Sequence, residues 1–465
     1  MISLEKLYLS RPKNCSTKLS KICENNHLPF KIPSLPQLHD YLYRFRETLI
    51  AENYPEVRQY LTELVQKTYN DSLKDDETFY IYSQFEKGEI SVIFSSKALI
   101  ENIIKQCLYQ PSFIHLDATY KLIDLGLPLF VVSTEDINHS FRPLAFFVSW
   151  SESASQVTLL MKKLSQFLLE NFEFQFQPKY IMTDNSDALI SGCKKAFNHE
   201  YIHLGCHFHL AKRIKEKSNA QTLKDKKIYL FFGIKALKNS PSIEFFKKTW
   251  EIIKQYWKDN NIPTDFIDVF ESEYIKKSVQ WHYGAAFPGK SRTNNSLESG
   301  NNVLKVFFQR KSQNIKVFFA KMKDFIREWS IQEKTKFPYK IEYLASIKKA
   351  AEKSAQEDPF IYHNSTPTVV YYPRKGIPKE ELEEALKSLL KRGVVPNTFK
   401  ELHEGWCYFR TINPILNQCD CAEFYKYNYC TILAIQILDG ALADPEIKEK
   451  KKRGRKSKVT KALQK

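Results

Sequence analysis

The sequence predicts a mixed α/β fold, and three observations support this prediction. Short apolar runs rich in β-branched and aromatic residues recur between residues 113 and 150, with polar turn residues between them. Apolar residues at helical spacing follow from Ala154 to Glu170. A further apolar run, Tyr180–Met182, then precedes a second segment with helical spacing. Several strands in succession, followed by strands that alternate with helices, are typical of a mixed sheet covered by helices.

Seven elements are predicted in chain order: strands Phe113–Leu116, Leu127–Val132 and Leu144–Trp150, helix Ala154–Glu170, strand Tyr180–Met182, helix Ser186–Phe197 and strand Tyr201–Leu204. The polar residues between the second and third strands predict an antiparallel meander. The order βββαβα with a final strand is typical of a ribonuclease-H-like sheet. Residues from about 211 to 290 are rich in Lys and helical in pattern, and we interpret them as a helical insertion.

Composition narrows the class of protein. The chain of 465 residues contains 33 Phe and 25 Tyr, which is enough apolar material for a sizeable core. A net charge of +17 indicates a polyanionic partner. Because no apolar run approaches the roughly 20 residues of a membrane span, nucleic acid is favoured over a membrane. Residues 1–14 show no apolar signal segment, so we expect an intracellular protein whose nine cysteines are reduced.

Three carboxylates form a candidate catalytic site. Asp117 and Asp184 each end a predicted strand, and side chains at the ends of neighbouring strands converge at the sheet edge. Oxygen ligands of this kind select Mg²⁺ or Mn²⁺, which can activate a nucleophile for attack on phosphorus. Glu298, at the start of a predicted helix, is the third candidate. The alternative is that all three are ordinary helix-capping or solvated acids. Asp124 and Asp187 compete as turn and capping residues.

Four motifs resemble those of Mutator-like (MULE) transposases. Ile114–Lys121 is similar to the first-aspartate motif, and Met182–Asp184 to the second. Leu204–Leu210 is similar to the C-x-x-H element that follows, and Thr293–Lys305 to the third-acid motif. The resemblance implies a DDE triad of Asp117, Asp184 and Glu298 that binds Mg²⁺ or Mn²⁺ on a ribonuclease-H-like fold, with a helical insertion before the Glu. It also implies that the chain forms oligomers to hold two DNA ends.

The C-x-x-H element consists of Cys206 and His209. This spacing is half of a zinc site. The alternative is that Cys206 is a buried core thiol and that His209 packs locally. The family resemblance implies a role in the transposase core without saying whether the two residues bind metal.

A cysteine cluster near the C-terminus resembles a SWIM zinc finger. Cys419, Cys421 and Cys430 occupy three ligand positions, but Ile432 stands where the pattern has a histidine. Cys407, in the strand-like Trp406–Phe409, is a candidate fourth thiolate. Since three ligands leave a structural zinc site open, we expect a degenerate module, and zinc-free folding with the thiols as small apolar groups is the favoured alternative.

The predicted domain organisation follows the motifs. It comprises an N-terminal region of unknown function (1–105), a MULE catalytic domain (106–335) with its insertion (about 211–290), a helical linker (336–400), a degenerate SWIM-like module (401–440) and a basic tail (445–465). In the tail, Arg453 and Arg455 are similar to an AT-hook that has lost its proline. The alternatives are that the tail is a nuclear-localisation signal or a plain solvated segment. We expect a nuclear protein.

The leading functional hypothesis is a DDE transposase that cleaves and transfers strands at transposon ends. Arg292, Lys305 and Arg310 flank Glu298 and are candidates for phosphate contacts. One alternative is a domesticated derivative that binds DNA without cutting it, which the eroded zinc module favours. A ribonuclease-H-type nuclease without strand joining is a third reading. The SWIM-like segment disfavours it.

Overall fold

The computed structural model divides the chain into two compact units. It describes residues 55–331 except 87–88, 110, 137–138, 220–221 and 278, together with 37, 362–363, 370–373, 378–392, 396–413, 418–419, 421, 424 and 430. The first unit comprises Met1–His209 and Thr293–Phe337, and the second comprises Leu210–Arg292 and Pro338–Lys465.

Seven strands of the first unit form a mixed sheet. They are β1 (Thr78–Glu86), β2 (Glu89–Ser96), β3 (Phe113–Thr119), β4 (Leu129–Glu135), β5 (Phe141–Ser149), β6 (Tyr180–Thr183) and β7 (Ile202–Gly205). They are hydrogen-bonded in the order β1-β2-β5-β4-β3-β6-β7. The strands β3, β4 and β5 form an antiparallel meander, whereas β6 runs parallel to β3 and β7 parallel to β6. The predicted mixed α/β class and the predicted meander are confirmed.

Helices cover both faces of this sheet. They are Pro55–Leu64, Lys97–Tyr109, Ala154–Phe172, Asp187–Ala196, Asn295–Phe307 and Ile315–Ile331. Strand residues alternate between two apolar cores, because successive side chains of a strand point to opposite faces. In β4, Leu129 and Val131 join the core beneath Asn295–Phe307 and Ile315–Ile331. Phe130 and Val132 join the core beneath Ala154–Phe172. A sheet buried on both faces needs near-continuous apolar strands, and the sequence of β4 is of this kind.

The second unit is helical over residues 210–292 and contains a small sheet in its C-terminal part. Its helices include Lys227–Lys238, Ile243–Asp259, Thr264–Phe270, Lys379–Arg392 and Phe399–Tyr408. Its strands are the short β8 (Val279–Gln280) and, in the small sheet, β9 (Tyr362–His363), β10 (Val370–Pro373), β11 (Phe409–Asn413) and β12 (Gln418–Cys419). Trp250 and Trp257 are buried in its apolar core. Phe399 stacks on Tyr256 with ring centroids 3.9 Å apart, which joins the helix Phe399–Tyr408 to this core.

One strand prediction in the second unit is wrong. Trp406–Tyr408 ends the helix Phe399–Tyr408, and β11 begins only at Phe409. The helix is started by a cap, because the side chain of Thr398 accepts the N–H of Glu401 at 3.2 Å. Glu401 in turn accepts the N–H of Asn397 at 2.7 Å. In the part of the chain that is described, no helix has both the length and the apolar character needed to cross a membrane.

Candidate functional site

Two of the candidate acids lie at the same edge of the sheet. β3 and β6 are parallel neighbours, and His115 stands opposite Met182 in their register. Two positions further along each strand, this register aligns Asp117 with Asp184, which directly follows β6. The carboxyl ends of parallel strands therefore bring these two carboxylates together, as the sequence pattern predicts.

Glu298 reaches this edge from a helix that crosses the sheet. It lies in the first turn of Asn295–Phe307, which we call the Glu298 helix. In β3, Ile114 and Leu116 belong to the core on the opposite face, so His115 and Asp117 face the Glu298 helix. Asn301, one turn after Glu298, donates through Nδ2 to Asp117 Oδ2 at 3.1 Å. The helix thus contacts the strand of the first aspartate directly.

The site is electrostatically unfavourable without a cation. The pKa of Asp117 is raised to about 7, chiefly by burial and next by the neighbouring charge of Asp184. Glu152 and Glu298 act on Asp117 in the same direction. Glu152 is a fourth acid that the sequence pattern did not indicate, and Tyr120 donates a hydrogen bond to its carboxylate. A buried acid whose pKa is raised by three neighbouring acids marks a candidate functional site.

Glu298 is grouped most closely with the C-x-x-H element. One ligand atom each from Cys206, His209 and Glu298 all lie within 4.8 Å of one another. His209 Nε2 and Glu298 Oε1 are 3.5 Å apart. Among the described residues, neither of the two groups this compact contains Asp117 or Asp184. The structure therefore places Glu298 between the aspartate pair, with which it interacts electrostatically, and the Cys–His pair that it faces.

Asn294 connects the three segments that build the site. Its backbone N–H donates to Cys206 Sγ at 3.2 Å, and its carbonyl oxygen accepts the N–H of Glu298 at 2.7 Å. Its side-chain oxygen bonds His115 Nδ1 at 2.7 Å. The sequence pattern did not single out Asn294 or His115. A signal for His115 exists, since it lies two residues before Asp117 and so must share its face of the strand.

A buried acid supports His115 from the other side. Glu135 Oε2 lies 3.6 Å from His115 Nε2, and its Oε1 lies 3.3 Å from His139 Nδ1. Burial opposes ionisation of Glu135, but the bonds to both histidines hold its pKa well below the usual value. This buried carboxylate therefore stays charged and fixes the His115 ring behind the site.

The predicted DNA-contact residues differ in accessibility. Arg292, in the second unit, is buried and donates to the carbonyl oxygens of Ala286 at 2.7 Å and Phe287 at 3.2 Å. These bonds hold its guanidinium against the local loop, and a phosphate contact by Arg292 stays a prediction. Lys305 is half-buried and Arg310 is exposed, both within the first unit. Arg453 and Arg455 lie outside the described residues.

The C-terminal thiols do converge. Ligand atoms of Cys419, Cys421 and Cys430 lie within 4.8 Å of one another, and all three residues are buried. Burial raises the pKa of Cys419 well above its usual value, and contacts with the other two thiols add to this. The backbone of Cys407 belongs to the helix Phe399–Tyr408, but its side chain is not among the described parts of the chain. Ile432 also lies outside the described residues.

Comparison with family models identifies one domain of the chain. Residues 113–213 match the family model of the MULE transposase domain. The chain therefore carries a MULE transposase domain, which confirms the resemblance of its motifs over this segment. The match includes Asp117, Asp184, Cys206 and His209, while Glu298 lies beyond it. No curated protein matches the chain.

Proposed function

We propose that this protein is a DDE-type transposase that cleaves DNA at transposon ends and joins the freed strands to target DNA. Asp117, Asp184 and Glu298 are its metal ligands in this proposal. The observation that carries it is the aligned pair Asp117 and Asp184, inside a MULE transposase domain, with the pKa of Asp117 raised by burial and by the other two acids.

The topology supports a ribonuclease-H-like fold for the catalytic domain. Three antiparallel strands, β3 to β5, are followed by the helix Ala154–Phe172, by β6 parallel to β3, by the helix Asp187–Ala196 and by the parallel strand β7. This is the order predicted for such a fold, and the resulting strand order is β5-β4-β3-β6-β7.

The residues present fit a hard divalent cation. Asp117 and Asp184 offer carboxylate oxygens, which Mg²⁺ and Mn²⁺ prefer, and a cation would relieve the cost of ionising buried Asp117. When bound, such ions supply Lewis-acid stabilisation of the attacking and leaving oxygens at phosphorus. Asn301 orients Asp117, and the backbone N–H of Ser186 holds Asp184 Oδ1 at 3.0 Å. The chain itself therefore preorganises the ligand oxygens.

DNA as the substrate agrees with the charge of the chain. A transposase domain acts on DNA, and the net charge of +17 favours association with phosphates. We propose that Lys305 and Arg310, beside the Glu298 helix, contact the DNA backbone, and that Arg453 and Arg455 in the basic tail add sequence-independent affinity. A nuclear location and a homo-oligomer that holds two DNA ends belong to the same proposal.

The test is metal-dependent nicking by purified full-length protein. Supercoiled plasmid and candidate terminal-repeat duplexes are incubated with Mg²⁺ or Mn²⁺, and wild type is compared with Asp184→Asn. The matched control is Asp187→Asn, because Asp187 is an exposed acid only three residues away. We expect nicking by wild type and by the control, and a loss of at least about 10²-fold in Asp184→Asn.

Two outcomes would overturn the proposal. Cleavage that persists in Asp184→Asn would remove this residue from the site. Tight, salt-dependent DNA binding by wild type with no nicking in either metal would instead support a domesticated DNA-binding protein.

A further inference from the structure

Three side chains of different chemistry meet beside the candidate catalytic site. Cys206 supplies a thiol, His209 an imidazole and Glu298 a carboxylate, and their ligand atoms lie within 4.8 Å of one another. Cys206 lies between β7 and the helix His207–Lys217, His209 lies in the first turn of that helix, and Glu298 lies at the start of the Glu298 helix. Sulfur and imidazole nitrogen are ligands for Zn²⁺ rather than for Mg²⁺.

The surroundings of Cys206 favour a bound thiolate. Its sulfur accepts backbone N–H groups from Phe208, His209 and Asn294, the last at 3.2 Å. Hydrogen bonds from three N–H groups stabilise negative charge on sulfur. A metal ion held by this sulfur would bind it as the thiolate, and the three N–H groups are placed to stabilise that charge.

The first turn of the helix His207–Lys217 brings His209 close to the carboxylate of Glu298. His209 Nε2 and Glu298 Oε1 meet at 3.5 Å, yet among the described residues Glu298 Oε1 is buried and has no hydrogen-bond partner. A buried carboxylate oxygen without a donor is costly, and native structures rarely leave one so. A cation between this oxygen, His209 Nε2 and Cys206 Sγ would satisfy all three atoms.

We propose that Cys206, His209 and Glu298 form a zinc site. Three protein ligands leave the fourth tetrahedral position open to water. Glu298 is also the third acid of the proposed DDE triad, so zinc at this site holds that carboxylate away from the Mg²⁺ centre and lowers DNA cleavage. This second consequence rests on the proposed function, whereas the zinc site itself does not.

Cobalt titration of the full-length protein tests the site without any reference to cleavage. Co²⁺ reports tetrahedral coordination and thiolate ligation by its absorption, and the C-terminal cysteine cluster contributes the same background in every variant. Wild type is compared with Cys206→Ser and with His209→Ala. Controls are Cys193→Ser, a buried thiol of the same unit, and His199→Ala, a half-buried histidine of the same unit.

We expect wild type and both controls to bind one more equivalent of tetrahedral Co²⁺ than His209→Ala and Cys206→Ser. His209 is partly exposed, so its replacement by alanine should leave the fold intact, which a thermal melt checks. Identical titrations of wild type and folded His209→Ala would overturn the proposal. Loss of Co²⁺ in Cys193→Ser as well as in Cys206→Ser would also overturn it, because the effect would then follow from core disruption.

The consequence for cleavage is measured separately. The rate of Mg²⁺-dependent nicking is measured without Zn²⁺ and with one added equivalent of Zn²⁺, and the first rate is divided by the second. This ratio should exceed one in wild type and fall toward one in His209→Ala. An equal ratio in the two proteins, with the zinc site present by titration, would refute the competition for Glu298. If wild type shows no nicking at all, the proposed function fails while the cobalt result still decides the zinc site.

Discussion

Gly300 sets the distance between the Glu298 helix and the sheet, and Gly300→Ala tests this directly. A Cβ built at this position would lie 2.6 Å from three ring atoms of Phe141, in β5. Carbon atoms in contact stand about 3.5–4.0 Å apart. The ring is buried and cannot retreat freely, because Trp329 packs edge-on against it with ring centroids 5.2 Å apart. The helix must therefore move outward by roughly 1 Å.

Two free-energy terms set the expected loss of stability. Overpacking of a close contact costs about 1–3 kcal/mol. Replacing Gly by Ala inside a helix offsets up to about 1 kcal/mol. We expect the free energy of unfolding to fall by about 1–2 kcal/mol. Glu298 and Asn301 move with the helix, and a 1 Å displacement of a catalytic group lowers the rate by about 10²-fold.

The assay combines urea denaturation with metal-dependent nicking. Ser299→Ala is the control, because Ser299 is the exposed neighbour in the same helix turn. Phe141→Leu should rescue the Gly300→Ala variant in part by removing ring atoms from the contact. Wild-type nicking and stability in Gly300→Ala would refute the reasoning. A double variant with Phe141→Leu that is less stable than Gly300→Ala alone would refute it as well.

Three further predictions concern charge and metal. Burial lowers the pKa of His203 and His282 to about 4, so each imidazole favours its neutral form in the folded state. The stability that they confer is complete above pH 6.5 and is lost as the pH falls toward 4, by on the order of 3 kcal/mol for each histidine. Denaturant melts across this pH range will measure the loss. Replacement of either residue by Gln should flatten that part of the profile. The pKa of Asp117 is raised to about 7 by burial and Asp184, so metal-free stability declines as the pH rises from about 4 to 7 and the charge forms. Asp117→Asn should therefore raise the melting temperature of the metal-free protein at pH 8, and added Mg²⁺ should stabilise wild type but not this variant; equal Mg²⁺ responses would contradict the site. Finally, Cys421→Ser and Cys107→Ser should have equal zinc contents, because three ligands leave a structural zinc site open; a zinc content lower by one equivalent in Cys421→Ser would contradict a zinc-free C-terminal module.

The aspartate pair could be predicted from the sequence because local patterns place it. Asp117 and Asp184 each follow an apolar run, and strand-end acids in a mixed sheet meet at one edge. The register of β3 and β6 follows from the same pattern, since a shift of one residue would turn every buried side chain outward. These inferences need only neighbouring residues and the rule of alternation.

The surroundings of Glu298 could not be predicted in this way. The bond from Asn294 to Cys206 joins residues that lie on either side of the long excursion Leu210–Arg292, and no local pattern encodes such a pairing. Glu135 is similar, because acids are expected at the surface, and its burial is made tolerable by His139 nearby in sequence and by His115 from β3.

The strands β1 and β2 were overlooked although a local signal exists. Thr78–Glu86 is rich in aromatic and β-branched residues, and Lys87 and Gly88 separate it from a second such run, Glu89–Ser96. This region contains no chemical motif, and the elements predicted above therefore begin only at Phe113. Periodicity alone would have extended the sheet by one hairpin.

Asn294 connects the C-x-x-H element to the helix that carries Glu298. Its link to Cys206 uses the backbone N–H, and its link to His115 uses the side-chain oxygen. Any residue with an N–H at position 294 preserves the first link, while only a short side chain with an acceptor preserves the second. Because the carbonyl oxygen of Asn294 also starts the Glu298 helix, the sulfur of Cys206 and the strand of Asp117 fix the same helix end. One backbone segment therefore positions Glu298 relative to both Cys206 and Asp117, and a metal ion that draws Glu298 toward Cys206 would weaken its electrostatic interaction with Asp117.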